Sequence, residues 1–101
     1  MDDPCIFTSS SNPRSPALLR YPEGADPGLI ISKFKPGFFD WSTIHDCPTF
    51  DSGKRTEVVT ALFEAGFSHV QLKEGKSENE LSYENRVKRP AHIRPREISH
   101  P

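Results

Sequence analysis

The chain has 101 residues and a hydrophobic content of 34%, which leaves room for one small domain and only if most of the chain folds. Its 13 basic and 14 acidic residues give a formal net charge of −1, which excludes a whole-protein electrostatic attraction to nucleic acid or an acidic membrane. The ten prolines are roughly twice the average usage of about 5%, and they are concentrated towards both ends of the chain.

Residues 1–26 are predicted to form a disordered arm rich in Ser and Pro. The prolines allow no helix longer than a turn or two, and the polar run at 8–15 has little to bury. The apolar exceptions are two small groups, Ile6-Phe7 and the set Leu18, Leu19 and Tyr21. Either group could dock on a partner or on the core.

The ordered core is predicted at residues 27–73, beginning with a strand. Leu29-Ile30-Ile31 is a short, partly β-branched apolar run bounded by Gly28 and by Pro36-Gly37, which favours a strand of about five to seven residues. The aromatic run that follows, 38–44, fits either a strand or a helical turn. Its large apolar residues recur at three-residue steps, and so short a run does not decide between the two periods.

A helix is the most strongly indicated element. Asp51 or Ser52 is suited to accept a hydrogen bond at its start, Lys54–Ala65 would form its body, and Gly66 suits a left-handed cap. The apolar stripe comprises Val58, Val59, Leu62 and Phe63. Residues 67–72 largely alternate and predict a half-buried strand.

Residues 74–101 are predicted to be a charged, proline-containing, mostly solvated tail. The predicted fold class is therefore α+β, a small single domain with a strand–helix–strand nucleus and long irregular N- and C-terminal arms. A core of roughly 45 residues lies near the limit of about 40 below which domains usually need metals, disulfides or association. Association with a partner is the expected route to stability.

Cysteine usage and the first residues indicate the expected compartment. Cys5 and Cys47 lie far apart in sequence, and Cys5 falls in the predicted arm, so no disulfide framework is expected. The chain begins with acids where a signal peptide needs basic residues, and no apolar stretch approaches the roughly 18 residues of a membrane span. An intracellular location, cytoplasmic or nuclear, and no membrane association are expected.

The start of the predicted helix is a candidate anion-binding site. Two cations lie in its first turn, where the helix dipole disfavours them, and a bound phosphate or carboxylate would compensate. Alternatively, Asp51 and Glu57 offset the cations, which then point into water. The candidate residues are Ser52, Gly53, Lys54, Arg55 and Thr56.

Apolar and aromatic side chains provide candidate anchors for a partner. The run that contains Phe34, Phe38, Phe39 and Trp41 could fill a protein groove or stack on unpaired bases, whereas packing in the core is the alternative for most of these rings. The predicted partner-binding residues are Leu18, Leu19, Tyr21, Phe38, Phe39 and Trp41.

His45-Asp46-Cys47 places three reactive side-chain types in a row. Adjacent residues rarely converge on one substrate atom, and nothing in the sequence marks an oxyanion site or an orienting third group. The histidines and cysteines also lack the paired short spacings of structural zinc sites. Neither catalysis nor a metal nor a cofactor is expected.

A basic segment in the tail supports the alternative function. It comprises Arg86, Lys88, Arg89, Arg94 and Arg96 and has no acid within it. With the helix start at 52–56 it would form a nucleic-acid- or phosphate-binding module. The favoured prediction is a small non-catalytic interaction protein, an adaptor or a regulatory or structural subunit, that binds a larger protein partner.

Overall fold

The computed structural model describes residues 3–94, which form one small domain that is mostly β-sheet. The strands are β1 (Cys5–Ser9), β2 (Ala17–Arg20), β3 (Phe39–Ser42), β4 (Cys47–Phe50), β5 (His69–Ser77) and β6 (Glu80–Lys88). The helices are α1 (Gly28–Ile31) and α2 (Arg55–Glu64), and one 3-10 turn (Ser52–Lys54) leads into α2. The predicted mixture of helix and strand is confirmed, with a larger share of sheet than expected.

The six strands form one mixed sheet in the order β3-β4-β2-β1-β5-β6. The pairing of β1 with β5 is parallel, and every other neighbouring pair is antiparallel. The two N-terminal strands thus occupy the middle of the sheet, and β3 and β6 form its two edges.

The main core lies where α1 and α2 pack against the sheet. It comprises Ile6, Ala17, Leu19, Ile30, Phe50, Val58, Ala61, Leu62, Phe63 and Val70. These side chains come from four strands and both helices, so the core depends on pairings between distant parts of the chain. Within residues 3–94, no helix is long and apolar enough to cross a membrane.

The prediction of a long irregular N-terminal arm is wrong. Ile6 pairs with Leu19 and Phe7 with Leu18, so the two small apolar groups of this segment bury each other across the β1–β2 ladder. Thr8 and Ser9 of the polar run end β1, and residues 10–16 form the loop that joins the two strands. The Ser- and Pro-rich composition therefore marks a connection and not a disordered arm.

The predicted strand at residues 29–31 is also wrong, because this segment is α1. Pro27 stands at its start with a φ of −66°, which is already helical, and Ser32 ends it. Of its residues only Ile30 is buried, while Leu29 is 66% exposed. The run of three apolar residues thus contributes one core side chain, and a four-residue helix suffices for that.

The helix predicted at Lys54–Ala65 is confirmed as α2 with slightly shorter bounds. The Asp51 carboxylate accepts a hydrogen bond from the Gly53 amide at 3.0 Å, and Gly66 has a φ of +114°. The Gly66 amide donates to the Phe63 carbonyl, which closes the C-terminal end. The strand expected after the helix is present as β5.

The predicted C-terminal tail is mostly solvent-exposed as expected, but over most of its described part it is regular strand and not an irregular arm. Residues up to Lys88 form the second half of β5 and all of β6, a hairpin whose charged side chains alternate with Leu81, Tyr83 and Val87. The expected C-terminal arm therefore begins only after β6, and even there Ile93 packs on the main core. Residues 95–101, which include Arg96 of the basic segment, lie outside the described residues.

The β5–β6 hairpin bends over the second face of the sheet. The register shifts on both sides of Gly75, and beyond this bulge Leu81 packs on a second cluster formed by Phe7, Leu18 and Cys47. Both faces of the central strands are therefore covered by the chain itself.

Candidate protein-interaction site

The β3 strand forms one edge of the sheet and has a backbone that is paired on one side. Its register with β4 runs from Phe39 opposite Phe50 to Ser42 opposite Cys47. Among residues 3–94, no strand pairs with its other side. Half of its amide and carbonyl groups therefore face outward, which is the arrangement that accepts a strand from another chain.

The turn between β3 and β4 has a defined local structure. Its last residue, Asp46, has a φ of +53°, and the His45 amide donates to the Ser42 hydroxyl at 3.1 Å. Asp is among the few residues that tolerate this left-handed conformation. The turn residues 43–46 project from the sheet and are exposed.

Two large apolar side chains are exposed on this hairpin. Trp41 is 58% exposed on β3, and Ile44 is 89% exposed in the turn. Trp41 lies on the same face of the sheet as Phe39, since the two are two residues apart in one strand. An exposed tryptophan beside an unpaired strand edge is typical of a protein-binding surface. We call Trp41, Ile44 and the free edge of β3 the β3 surface.

Aromatic rings hold β3 against the body of the domain. Phe34 stacks on Phe38 with ring centroids 4.3 Å apart, and Phe39 meets Phe50 edge-on at 5.6 Å. These rings are half-buried or buried and pack on the main core. The β3 surface therefore rests on a rigid support, although β3 has only four residues.

The opposite edge of the sheet differs in chemistry. β6 carries charged residues at four of its nine positions, namely Glu80, Glu84, Arg86 and Lys88. Charged side chains on an edge strand discourage pairing with other strands. β3 carries one charged residue, Asp40, and is therefore the edge better suited to accept a strand.

Arg20 ties the turn of this hairpin to the tip of the β5–β6 hairpin. Its guanidinium donates to both carboxylate oxygens of Glu78, at 2.9 and 2.6 Å, and to the His45 carbonyl at 2.6 Å. The hydrogen bond from Arg20 lowers the pKa of Glu78, and the same bond raises the pKa of Arg20. The Arg20 side chain thus fixes His45, the neighbour of Ile44, and holds the tip of the β5–β6 hairpin over the second cluster.

Glu78→Gln is expected to lower the free energy of unfolding near neutral pH and to have little effect in acid. The pKa of Glu78 is lower in the folded state than in the unfolded state, where a glutamate has a pKa of about 4.3. The ion pair therefore stabilises the fold fully above the unfolded-state pKa, and this stabilisation is lost as the pH falls through the folded-state pKa. Urea unfolding of both proteins across this range measures the difference. Glu80→Gln, in the same hairpin, is the control, and a difference between wild type and Glu78→Gln that does not change with pH would contradict the role of the ion pair.

The six predicted partner-binding residues do not lie on one surface. Leu18 and Leu19 are buried within the sheet, and Tyr21 is half-buried with its ring edge-on to Phe67 at 5.6 Å. Phe38 and Phe39 are half-buried in the aromatic support, and Trp41 is mostly exposed. The sequence does not indicate Ile44 or the β3 edge as part of a site, because an isolated apolar residue in a turn gives no pattern and an edge is defined only by the pairing of the other strands.

The predicted anion-binding residues lie together at the start of α2. The Asp51 carboxylate accepts a hydrogen bond from the Gly53 amide, and the Ser52 hydroxyl donates a hydrogen bond to the Pro13 carbonyl at 3.1 Å. The Lys54 ammonium nitrogen lies 3.7 Å from a carboxylate oxygen of Glu57. Arg55 and Thr56 begin α2. The arrangement resembles the alternative in which the acids offset the cations, and anion binding here stays a prediction.

Two of the four described cations of the basic segment donate to oxygens of the chain itself. Arg86 donates to Asp3 at 2.6 Å, which lowers the pKa of that carboxyl, and the Arg89 guanidinium donates to the Phe67 carbonyl at 3.0 Å. Lys88 and Arg94 are exposed. Nucleic-acid or phosphate binding by this segment stays a prediction.

The thiol of the His45-Asp46-Cys47 segment faces the interior. Cys47 is buried in the second cluster, and burial raises the pKa of its thiol, which opposes formation of the thiolate. Burial also raises the pKa of Cys5. Within residues 3–94, no group of three or more His, Cys, Asp or Glu side chains is placed to hold a metal ion.

Comparisons of the chain with protein-family models, with curated proteins and with solved structures find no match. The function of the chain is therefore inferred from its own geometry.

Proposed function

We propose that this chain is a small non-catalytic interaction protein that binds a larger protein partner through the β3 surface. The partner contributes one extended strand, which continues the sheet beyond β3. The observation that carries the proposal is the combination of an unpaired, nearly uncharged edge strand with two exposed apolar side chains, Trp41 and Ile44. In strand addition, backbone hydrogen bonds supply affinity and alternate side chains supply specificity.

Trp41 has the properties of the main anchor. A tryptophan offers a large apolar area and an indole N–H, and aromatic anchors dominate the binding energy of many protein interfaces. Ile44 extends the apolar area into the turn. A partner strand on β3 would bring its own side chains beside Trp41 and would remove it from water.

Preorganisation supports binding at this surface. The aromatic rings behind β3 and the hydrogen bond from Arg20 to the His45 carbonyl hold the hairpin in place before a partner arrives. A rigid surface loses less conformational entropy on association than a mobile one. A four-residue edge contributes few hydrogen bonds, so this rigidity matters for the affinity.

The alternative function, binding of nucleic acid or phosphate, has less support. Of the cations predicted for it, Lys54 lies beside Glu57, and Arg86 and Arg89 donate to oxygens of the chain itself. A phosphate ligand would have to compete with these intramolecular contacts.

Trp41→Ala is expected to weaken partner binding at least tenfold, the loss typical of an interface anchor, and Ile44→Ser is expected to weaken it less. The partner is first isolated from cell extract on immobilised wild-type protein, and its affinity for each variant is then measured by titration. The sequence contains a single tryptophan, so a shift of its fluorescence to shorter wavelength reports burial of Trp41 directly.

Leu29→Ser is the matched control, because Leu29 is exposed to a similar extent but lies on α1. It is expected to bind as the wild type does. Amide hydrogen exchange of the complex gives a second measurement, in which protection should increase at β3. Equal affinities for the Trp41→Ala and Leu29→Ser variants, with no new protection at β3, would refute the proposed function.

A further inference from the structure

An open cavity of about 620 Å³ lies beside β3. Asp40 and Thr49, which stand opposite each other on β3 and β4, both line it, and so does Asp51. Arg14, from the β1–β2 loop, also lines it. The residues of the cavity therefore carry two negative charges and one positive charge.

Asp40 is positioned to act on a strand that pairs with β3. Side chains of a strand alternate between the two faces, so Asp40 points to the cavity face and its neighbours Phe39 and Trp41 to the other. The partner residue directly opposite Asp40 would have its Cβ about 5 Å away on the same face. A long side chain there would place its charged end beside Asp40.

We propose that the strand accepted by β3 carries a lysine or arginine opposite Asp40, flanked by apolar residues that face Phe39 and Trp41. The inference rests on the proposed function and specifies the chemistry of the partner strand. The charged end of this side chain pairs with the exposed Asp40 carboxylate on the face that Asp40 shares with Thr49. Opposite charges across a pair of strands attract.

A second copy of this chain fits the same edge less well. Suppose that two β3 strands pair antiparallel with Phe39 and Trp41 of both copies on the same face of the sheet. Asp40 lies on the other face, so the residue opposite it must also be an even-numbered residue of β3. Within β3 these are Asp40 itself and Ser42. Two aspartates would repel each other, and serine leaves the charge of Asp40 without a counter-ion.

The test uses three synthetic probe peptides of sequence Val-Thr-Val-X-Val-Thr-Val, in which X is Lys, Gln or Glu, titrated into the full chain. Trp41 fluorescence reports binding. The Lys peptide is expected to bind about two- to fivefold more tightly than the Gln peptide, which corresponds to roughly 0.4–1 kcal/mol for a cross-strand charge pair. The Glu peptide is expected to bind most weakly.

Asp40→Lys should invert this order, so that the Glu peptide binds most tightly. Glu80→Lys, which makes the same change in net charge on the β5–β6 hairpin, should leave the order unchanged. Urea unfolding of each variant verifies that it folds. Salt should reduce the preference, since the pair is exposed.

Failure of the inference and failure of the proposed function give different results. If all three peptides bind equally and shift the Trp41 fluorescence, binding of a strand at β3 is supported, but the inference of a lysine or arginine opposite Asp40 is refuted. An order that persists in Asp40→Lys also overturns it. No fluorescence shift with any peptide up to about 1 mM, a range that covers weak binding, overturns both.

Discussion

Replacing Leu19 by alanine is expected to lower the free energy of unfolding by about 2–5 kcal/mol, the range for removing a large apolar side chain from a packed core. Leu19 is fully buried, pairs with Ile6 on the neighbouring strand, and lies in the main core beneath the helices. The alanine would leave a cavity in the middle of the sheet, where neighbouring strands cannot easily move inward. Urea unfolding measures the loss as a lower midpoint with an unchanged slope.

Leu29→Ala is the matched control for this prediction. It removes the same atoms from a residue that is 66% exposed, so a change within about 0.5 kcal/mol is expected. Similar small losses for both variants would mean that β2 is not packed in the centre of the sheet. A chain with an irregular N-terminal arm would behave in that way.

Gly75→Ala is expected to destabilise the β5–β6 hairpin by at least about 1–3 kcal/mol, the usual cost of forcing extra atoms into a packed site. A Cβ at Gly75 would contact the Glu80 carbonyl oxygen and would lie 2.7 Å from the Leu81 Cα, both of them backbone atoms of β6. Backbone cannot rotate away as a side chain can. The strands would have to separate at the bulge, and Leu81 would lose its contacts with the second cluster.

Gly53→Ala provides the control for this prediction. A Cβ there meets only the Asp51 carboxylate, at an ordinary 3.5 Å, so a small effect is expected. Amide hydrogen exchange distinguishes local from global loss, because Gly75→Ala should reduce protection most at residues 75–81. Unchanged protection in Gly75→Ala would show that the bulge is more open than the structure indicates.

The helix could be predicted from the sequence because its signals are local. The capping Asp51, the apolar stripe and the terminal Gly66 all lie within sixteen residues of one another, and each has a local physical effect. No knowledge of distant parts of the chain is needed to recognise them. The structure places this helix within a residue of the predicted bounds at each end.

The N-terminal strands could not be predicted because their stability comes from partners far away in sequence. β2 shows only three apolar residues in a row, Ala17, Leu18 and Leu19, between prolines and Arg20. Its two faces are buried by different elements: Leu19 by the helices and Leu18 by the bent β5–β6 hairpin. A strand buried on both faces shows no alternation, so periodicity gives no signal.

The candidate site was predictable only in part. The sequence indicates Trp41 as an aromatic anchor, and Trp41 is exposed on an edge strand. Phe34 and Phe38 lie close to it in sequence, but in the structure they pack against β3 and support it. Exposure and edge position follow from the sheet order, which no short-range pattern encodes.

The parallel pairing of β1 with β5 has a consequence for synthesis of the chain. Cys5 pairs with Gln71 and Ser9 with Gly75, so the second edge of β1 is covered only after more than sixty further residues have been synthesised (71 − 5 = 66). Such contacts give a high contact order, which slows folding. Before β5 emerges, β1 to β4 and both helices can associate, but the second edge of β1 stays unpaired and the β5–β6 hairpin does not yet cover Phe7 and Leu18. We therefore expect the nascent chain to require protection by chaperones until β5 and β6 emerge, and a chain truncated before β5 to aggregate.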